Sequence, residues 1–201
     1  RVVAMRLLLI RHGETPNNLL GALDTAAPGA GLTERGHTQA EAIPEALAAE
    51  SIGGLYVSGL VRTHLTASPL AGARDLAPRV DDRLNEIAAG DYEMHTSREA
   101  VEAYIDCARR WGEGDLAPGL PGGEDGYAFR ARYSGAIADI AEAHGDHETV
   151  AVVSHGASIR VFAAMVADLG AAGIEDFGLG NTGMVTLIGS PTRGWDLDGW
   201  S

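Results

Sequence analysis

The chain has 201 residues, of which 45% are hydrophobic and 21% charged, a globular composition at a length that fits one domain. Its 15 basic residues against 28 acidic ones leave a formal charge of −13, which excludes a broad nucleic-acid footprint or an anionic-membrane surface, since both need a basic face. Every basic residue is arginine, so Schiff-base, P-loop and kinase-type lysine chemistry is excluded, and any anion must be met by arginine, histidine or backbone N–H groups.

In chain order, Met5–Ile10 reads as a buried strand ended by Arg11-His12-Gly13. A polar, Gly/Pro/Ala-containing loop is expected from Thr15 to Gly31. A helix follows from Glu34 to about Glu50, with Thr33 as N-cap and a kink or split at Pro44. Leu55–Ser58 reads as a second strand and Leu60–Ala71 as a helix broken by Pro69. Arg79-Val80 is a short third strand leading to Arg83-Leu84-Asn85-Glu86. The segment from about 91 to 124 reads as an insertion or lid, with one helix over Ser97–Trp111 and Gly/Pro-rich flanks. Asp125–His144 is an amphipathic helix stopped by Gly145. Thr149–Val153 is a strand that runs into Ser154-His155-Gly156 and a helix from about Ala157 to Leu169. Met184–Ile188 is the last expected strand.

Strands alternating with helices specify an α/β fold: a three-layer α/β/α sandwich on a mostly parallel sheet, one domain over 1–201 with the insertion above the site. Ligands in such sheets sit beyond the carboxyl ends of the strands. Three strands end there in polar groups: Arg11-His12, Ser58 leading to Arg62, and Ser154-His155-Gly156. The turn into the last of these helices also offers N–H groups to an anion. Arginine meets phosphoryl oxygens in a bidentate fork, so two histidines and several arginines at one rim suit a phosphoryl group.

Cys107 is the single cysteine, so there is no intramolecular disulfide, and the reducing cytosol is the simplest compartment. The longest apolar run, around Leu7 to Ile10, falls far short of a membrane span of about 20 residues. G-x-G-x-x-G occurs at 178–183, near the C-terminus with no helix expected after it, so it lacks the dinucleotide-binding context. Neither G-x-S-x-G nor H-E-x-x-H occurs. His37, His64, His144 and His147 are expected to be solvated.

LIRHGETPNN resembles the signature of the histidine phosphatase superfamily, the phosphoglycerate-mutase-like proteins. GLTERGHTQA, VSGLVRTHLTA, LNEIAAGDYE, PGGED and VVSHG resemble its later segments in family order, from about residue 5 to 190. The resemblance implies a phosphomonoesterase acting on a small phosphorylated metabolite, without metal or other cofactor. His12 would be the nucleophile that forms a phosphohistidine, with Arg11, Arg62 and His155 around the transferring group. Glu86 would be the proton donor. Asn18 and Gly156 would join Arg11, Arg62 and His155 in binding phosphate. Ser58 is read as a ligand or a helix cap, Arg132 as support, and Asn181 as part of the family's final polar turn.

The chain departs from the family after Asn18. LLGALDT keeps Gly21 but lacks the arginine and glutamine of many members, and Tyr92, Glu93 and Met94 stand where many have Trp-Glu-Gly. These changes fall on the substrate side, where His95, Arg98 and Tyr104 are the candidates for specificity. Two other readings remain: a bisphosphoglycerate-dependent mutase, and a phosphate-binding regulatory module without catalysis. A homodimer is the assembly to test.

Overall fold

The computed structural model describes residues 4–145, 147–170 and 178–201. Six strands form one mixed sheet: β1 (Met5–Arg11), β2 (Ile52–Val57), β3 (Arg79–Val80), β4 (Thr149–Ser154), β5 (Met184–Ser190) and β6 (Gly194–Trp200), in the order β3-β2-β4-β1-β5-β6. β1, β2, β3 and β4 run parallel, and β5 and β6 are antiparallel additions at one side. The helices are α1 (Pro16–Leu20), α2 (Glu34–Glu41), α3 (Ile43–Ala46), α4 (Val61–Arg74), α5 (Arg98–Gly112), α6 (Gly126–His144) and α7 (Gly156–Val166).

Strand alternation divides the core. Met5, Leu7, Leu9, Tyr56, Val150 and Val152 face α5, α6 and α7, while Leu8, Ile10, Leu55, Val57, Ala151 and Val153 face α3 and α4. Burying each such aliphatic side chain stabilises the fold by about 1.5–3 kcal/mol, which ties the strand tips rigidly to both layers. The expected three-layer α/β fold is therefore present, with helices on both sides of the sheet.

Several elements differ from the sequence reading. The 15–31 segment contains α1, started by a capping box in which Thr15 and Asn18 exchange side-chain-to-backbone hydrogen bonds. Pro44 does split the expected long helix, into α2 and α3. Pro69 does not break α4, which runs through it to Arg74; buried Ala67 and Leu70 hold the helix on the sheet despite the missing N–H. β6 was not expected: GWDLDGW holds two aspartates and two glycines, poor strand formers, and its pairing to β5 supplies what its composition does not. The 91–124 segment is built into the core through Ala100, Tyr104, Cys107, Ala108 and Trp111 of α5. Asp125 caps α6 by accepting the Ala128 N–H. Among the described residues, no helix is long and apolar enough to cross a membrane.

Candidate active site

The β1–β4 pairing sets Arg11 beside Ser154, and the backbone N–H of His12 continues that ladder to the Ser154 carbonyl at 3.1 Å. His12 and His155 leave the sheet together, with ring centroids 5.3 Å apart and planes at 58°. The convergence expected from the strand order is thus a ring-to-ring contact. Gly13 has to be glycine, because a Cβ there would stand 2.7 Å from the Gly36 carbonyl oxygen where α2 crosses the turn.

Arg11, His12, Asn18, Ala22, Leu23, Asp24, Thr25, Arg62, Glu86, Tyr104, Gly156, Ala157 and Arg160 line one cavity of about 170 Å³. His12 is 3% exposed. Its Nδ1 donates to the Gly13 carbonyl at 2.7 Å, which places the proton on Nδ1 and leaves Nε2 with its lone pair. Burial, followed by the charge of Arg62, pushes the His12 pKa down to about 3, so the ring is neutral at pH 7 and able to act as a nucleophile.

His155 is fully buried, and its pKa is held well below the ordinary value by burial, then by Arg62 and His12. A hydroxyl chain orients it. Thr63 donates to the Leu60 carbonyl at 2.9 Å, Ser58 Oγ lies 3.1 Å from Thr63 Oγ1, and Ser58 Oγ meets His155 Nε2 at 2.7 Å. Because the Leu60 N–H also donates to Ser58 Oγ at 3.2 Å, the chain runs most simply with His155 Nε2–H donating. Ser58 therefore holds the ring and accepts the Leu60 N–H, but it is not the cap of α4, whose N-cap is Leu60 without a side-chain cap bond.

Arg11 and Arg62 are also buried, which lowers both pKa values from the usual arginine range. Glu86 opposes that for Arg11, and Asp24 then Glu86 oppose it for Arg62. Arg11 Nη1 donates to the Leu179 carbonyl and Arg62 Nη2 to the Asp24 carbonyl, each at 2.6 Å. Arg11 Nε, Arg62 Nε and Nη1, and His155 Nδ1 are buried without a hydrogen-bond partner in the protein. Such groups are costly to leave unmatched. The three arginine N–H groups among them, gathered beside His12, mark a place for an acceptor-rich anion, whereas His155 Nδ1, with the ring proton on Nε2, offers a lone pair. Gly156 keeps the start of α7 close, since a Cβ there would lie 3.1 Å from Arg11 Nε.

The N-terminus of α7 is not open to an anion as the sequence suggested, because Glu86 occupies it. Its Oε1 accepts the Ser158 N–H at 2.8 Å and the Ile87 N–H at 2.9 Å, and its Oε2 accepts the Ala157 N–H at 3.1 Å. Arg132 supports the loop from behind, donating to the Arg83, Asn85 and Glu86 carbonyls and pairing with Glu124 at 2.6 Å. Asn18 lies on the cavity wall with its Oδ1 accepting the Thr15 N–H and the Asn181 amide, each at 3.1 Å.

The three specificity candidates separate. Tyr104 lines the cavity and donates to the Ile87 carbonyl at 2.8 Å. His95 is exposed and stacks edge-on against Tyr92, and Arg98 is exposed and pairs with Glu102; neither lines the cavity. Sequence reasoning missed Asp24 and Arg160, which do. Arg160 had a signal, since it stands one helical turn after Gly156 and donates to that residue's carbonyl at 3.1 Å. His64 and His144 are not simply solvated, as they bond the Ser58 carbonyl and the Tyr56 and Glu148 side chains. No group of three or more His, Cys, Asp or Glu among the described residues is arranged to hold a metal ion.

The profile of the histidine phosphatase superfamily (branch 1) matches residues 7–201. The chain is 36% identical over 206 residues to the PE-PGRS family protein PE_PGRS11 of Mycobacterium tuberculosis, a match that covers 95% of this chain and 35% of that protein, so the chain spans about a third of that relative's length. It is 33% identical over 156 residues to phosphoserine phosphatase 1 of Hydrogenobacter thermophilus, covering 78% of this chain and 73% of that one. The solved structure of mycobacterial glucosyl-3-phosphoglycerate phosphatase aligns at a TM-score of 0.80 and 30% identity, covering 98% of each chain.

Proposed function

The chain belongs to the histidine phosphatase superfamily, and from that premise we propose that it hydrolyses a small phosphomonoester through a phosphohistidine on His12. The observation that carries the reading is the set of buried, unpartnered N–H donors on Arg11 and Arg62 beside the free Nε2 of His12. Two of the relatives are named as phosphatases, of phosphoserine and of glucosyl-3-phosphoglycerate.

In the first step His12 Nε2 attacks phosphorus, the N–P bond forms and the P–O ester bond breaks. Glu86 gives its proton to the leaving oxygen. Oε2 is the oxygen suited to carry that proton, because it accepts one N–H bond where Oε1 accepts two. In the second step Glu86 takes a proton from water, the oxygen attacks phosphorus and the N–P bond breaks, releasing phosphate and restoring His12. Arg11 and Arg62 stabilise charge on the equatorial oxygens.

Rapid acid-free quenching with a radiolabelled aryl phosphate tests this. The parent should show an alkali-stable, acid-labile label on His12 and release inorganic phosphate without added bisphosphoglycerate. His12→Ala should fold, carry no label and lose turnover by about 10⁴-fold or more. Unchanged hydrolysis by His12→Ala would end the reading.

A further inference from the structure

We propose that Asp24 is a positioning residue for the phosphoryl transfer proposed above, on which this inference rests: it sets the Arg62 guanidinium against the cavity. Asp24 stands in the segment where the chain lacks the family's usual glutamine, and it lines the same cavity as His12. Its backbone carbonyl accepts from Arg62 Nη2 at 2.6 Å, and its Oδ2 lies 3.6 Å from Arg62 Nη1. The carboxylate is itself held, accepting from Asn17 Nδ2 at 2.8 Å and from the Ala30 N–H at 3.0 Å. Gly29 closes the same side, with φ at +69° and so little room that a Cβ would stand 2.5 Å from Arg62 Nη1. The 24–30 segment therefore grips one edge of the guanidinium through a chain from Asn17 to Asp24 to Arg62, while Nε and Nη1 keep N–H groups without protein acceptors.

Affinity for phosphate does not account for this carboxylate. An acid beside the cage weakens attraction for a dianion. A buried ion pair is also weak grounds for stability, since desolvation offsets much of its Coulomb gain. Orientation does account for it. Arg62 is long and rotamer-rich, and an unheld guanidinium would meet the phosphoryl oxygens in several poses, whereas catalysis needs one. The expected signature is a loss concentrated in the transition state, because the ground-state anion tolerates a displaced arginine better than the trigonal bipyramid does.

The test is steady-state hydrolysis of p-nitrophenyl phosphate by the parent, Asp24→Asn and Asp24→Ala, with inhibition by vanadate and by inorganic phosphate measured for each. Both variants should lose about 10- to 100-fold in kcat/KM, mainly in kcat. Vanadate inhibition should weaken by the same factor and inorganic phosphate inhibition by no more than about threefold. Asn17→Ala loosens the carboxylate from a distance and should give the same split at about 3- to 10-fold; it decides the matter if the Asp24 variants do not fold. A kcat/KM for Asp24→Asn within about threefold of the parent overturns the proposal, as does equal weakening of vanadate and phosphate. A parent that hydrolyses no phosphomonoester, and so matches His12→Ala, means that the phosphatase reading has failed. An active parent matched by Asp24→Asn means that only the role of Asp24 has.

Discussion

At the entry to β4, His144 uses both ring nitrogens within the protein: Nε2 meets the Tyr56 hydroxyl and Nδ1 the Glu148 carboxylate, each at 2.8 Å. At the exit of the same strand, His155 meets Ser58 through Nε2 and keeps a buried Nδ1 without a partner. Beside it, His12 bonds Gly13 through Nδ1 and keeps Nε2 open. The strand between these regions is about 20 Å long at the usual rise. A histidine with both nitrogens matched is closed to further chemistry and serves packing. One with a single nitrogen fixed is oriented but unsatisfied, and the unsatisfied atom is the one available to a substrate.

The sharpest way to break that comparison is acid. A histidine whose folded pKa lies below its unfolded value binds fewer protons folded than unfolded between the two. Its share of stability is then fully present above the unfolded pKa and falls as the pH drops toward the folded one. For His12 that window runs from 6.5 down to about 3. The linkage is worth about 2–3 kcal/mol between pH 7 and pH 4.5. Denaturant unfolding of the parent in phosphate-free buffer should show this on top of the carboxylate contribution, and His12→Ala should lose about that much less stability over the interval. Equal slopes for the two proteins would mean that the ring is not held neutral by its surroundings.

A smaller effect tests the hydroxyl that fixes His155. Ser58→Ala removes the partner of Nε2 while leaving His12, Arg11 and Arg62 in place. Loss of a group that orients a site residue in this way typically costs about 10- to 100-fold in activity. The loss should fall on kcat for an aryl phosphate. Ser58→Thr, which keeps the hydroxyl, should recover part of it. Parent-level kcat in Ser58→Ala would show that the ring needs no anchor.

Much of this site was legible because local signals and topology agreed. The apolar runs Leu7–Ile10 and Val150–Val153 read as buried strands, and each is followed two residues later by a histidine. Parallel neighbours must then deliver those ends to one rim. Glu86 could be placed near the rim, but its seat on the first turn of α7 depends on the path of the 82–90 segment, which Arg132 fixes from a different helix. Asp24 was illegible for the same reason. Nothing within LLGALDT shows that its carboxylate reaches Arg62, because α1 and the glycines at 21 and 29 determine where that loop goes. Arg98 failed as a cavity residue because it stands at the exposed start of α5 while Tyr104 faces inward, and His95, which precedes that helix, lies exposed against Tyr92.

The smallest expected effect lies in the closed region. His144→Phe keeps a ring over Gly54, whose missing side chain makes room for it: a Cβ there would lie 2.6 Å from His144 Nε2. It removes the bonds to Tyr56 and Glu148. The Tyr56 hydroxyl retains Arg79 Nη1 at 3.3 Å, and the Glu148 side chain, 47% exposed, returns to water. Neither partner is left buried and unmatched, so the cost should stay near the ordinary net value of its hydrogen bonds, about 1–2 kcal/mol in denaturant unfolding at pH 7. With β4 and both faces of the core intact between the two regions, kcat and KM for an aryl phosphate should remain within about twofold of the parent. A selective loss of kcat in His144→Phe would show that the two ends of β4 are coupled, and that a histidine closed by its own neighbours can still bear on the open pair.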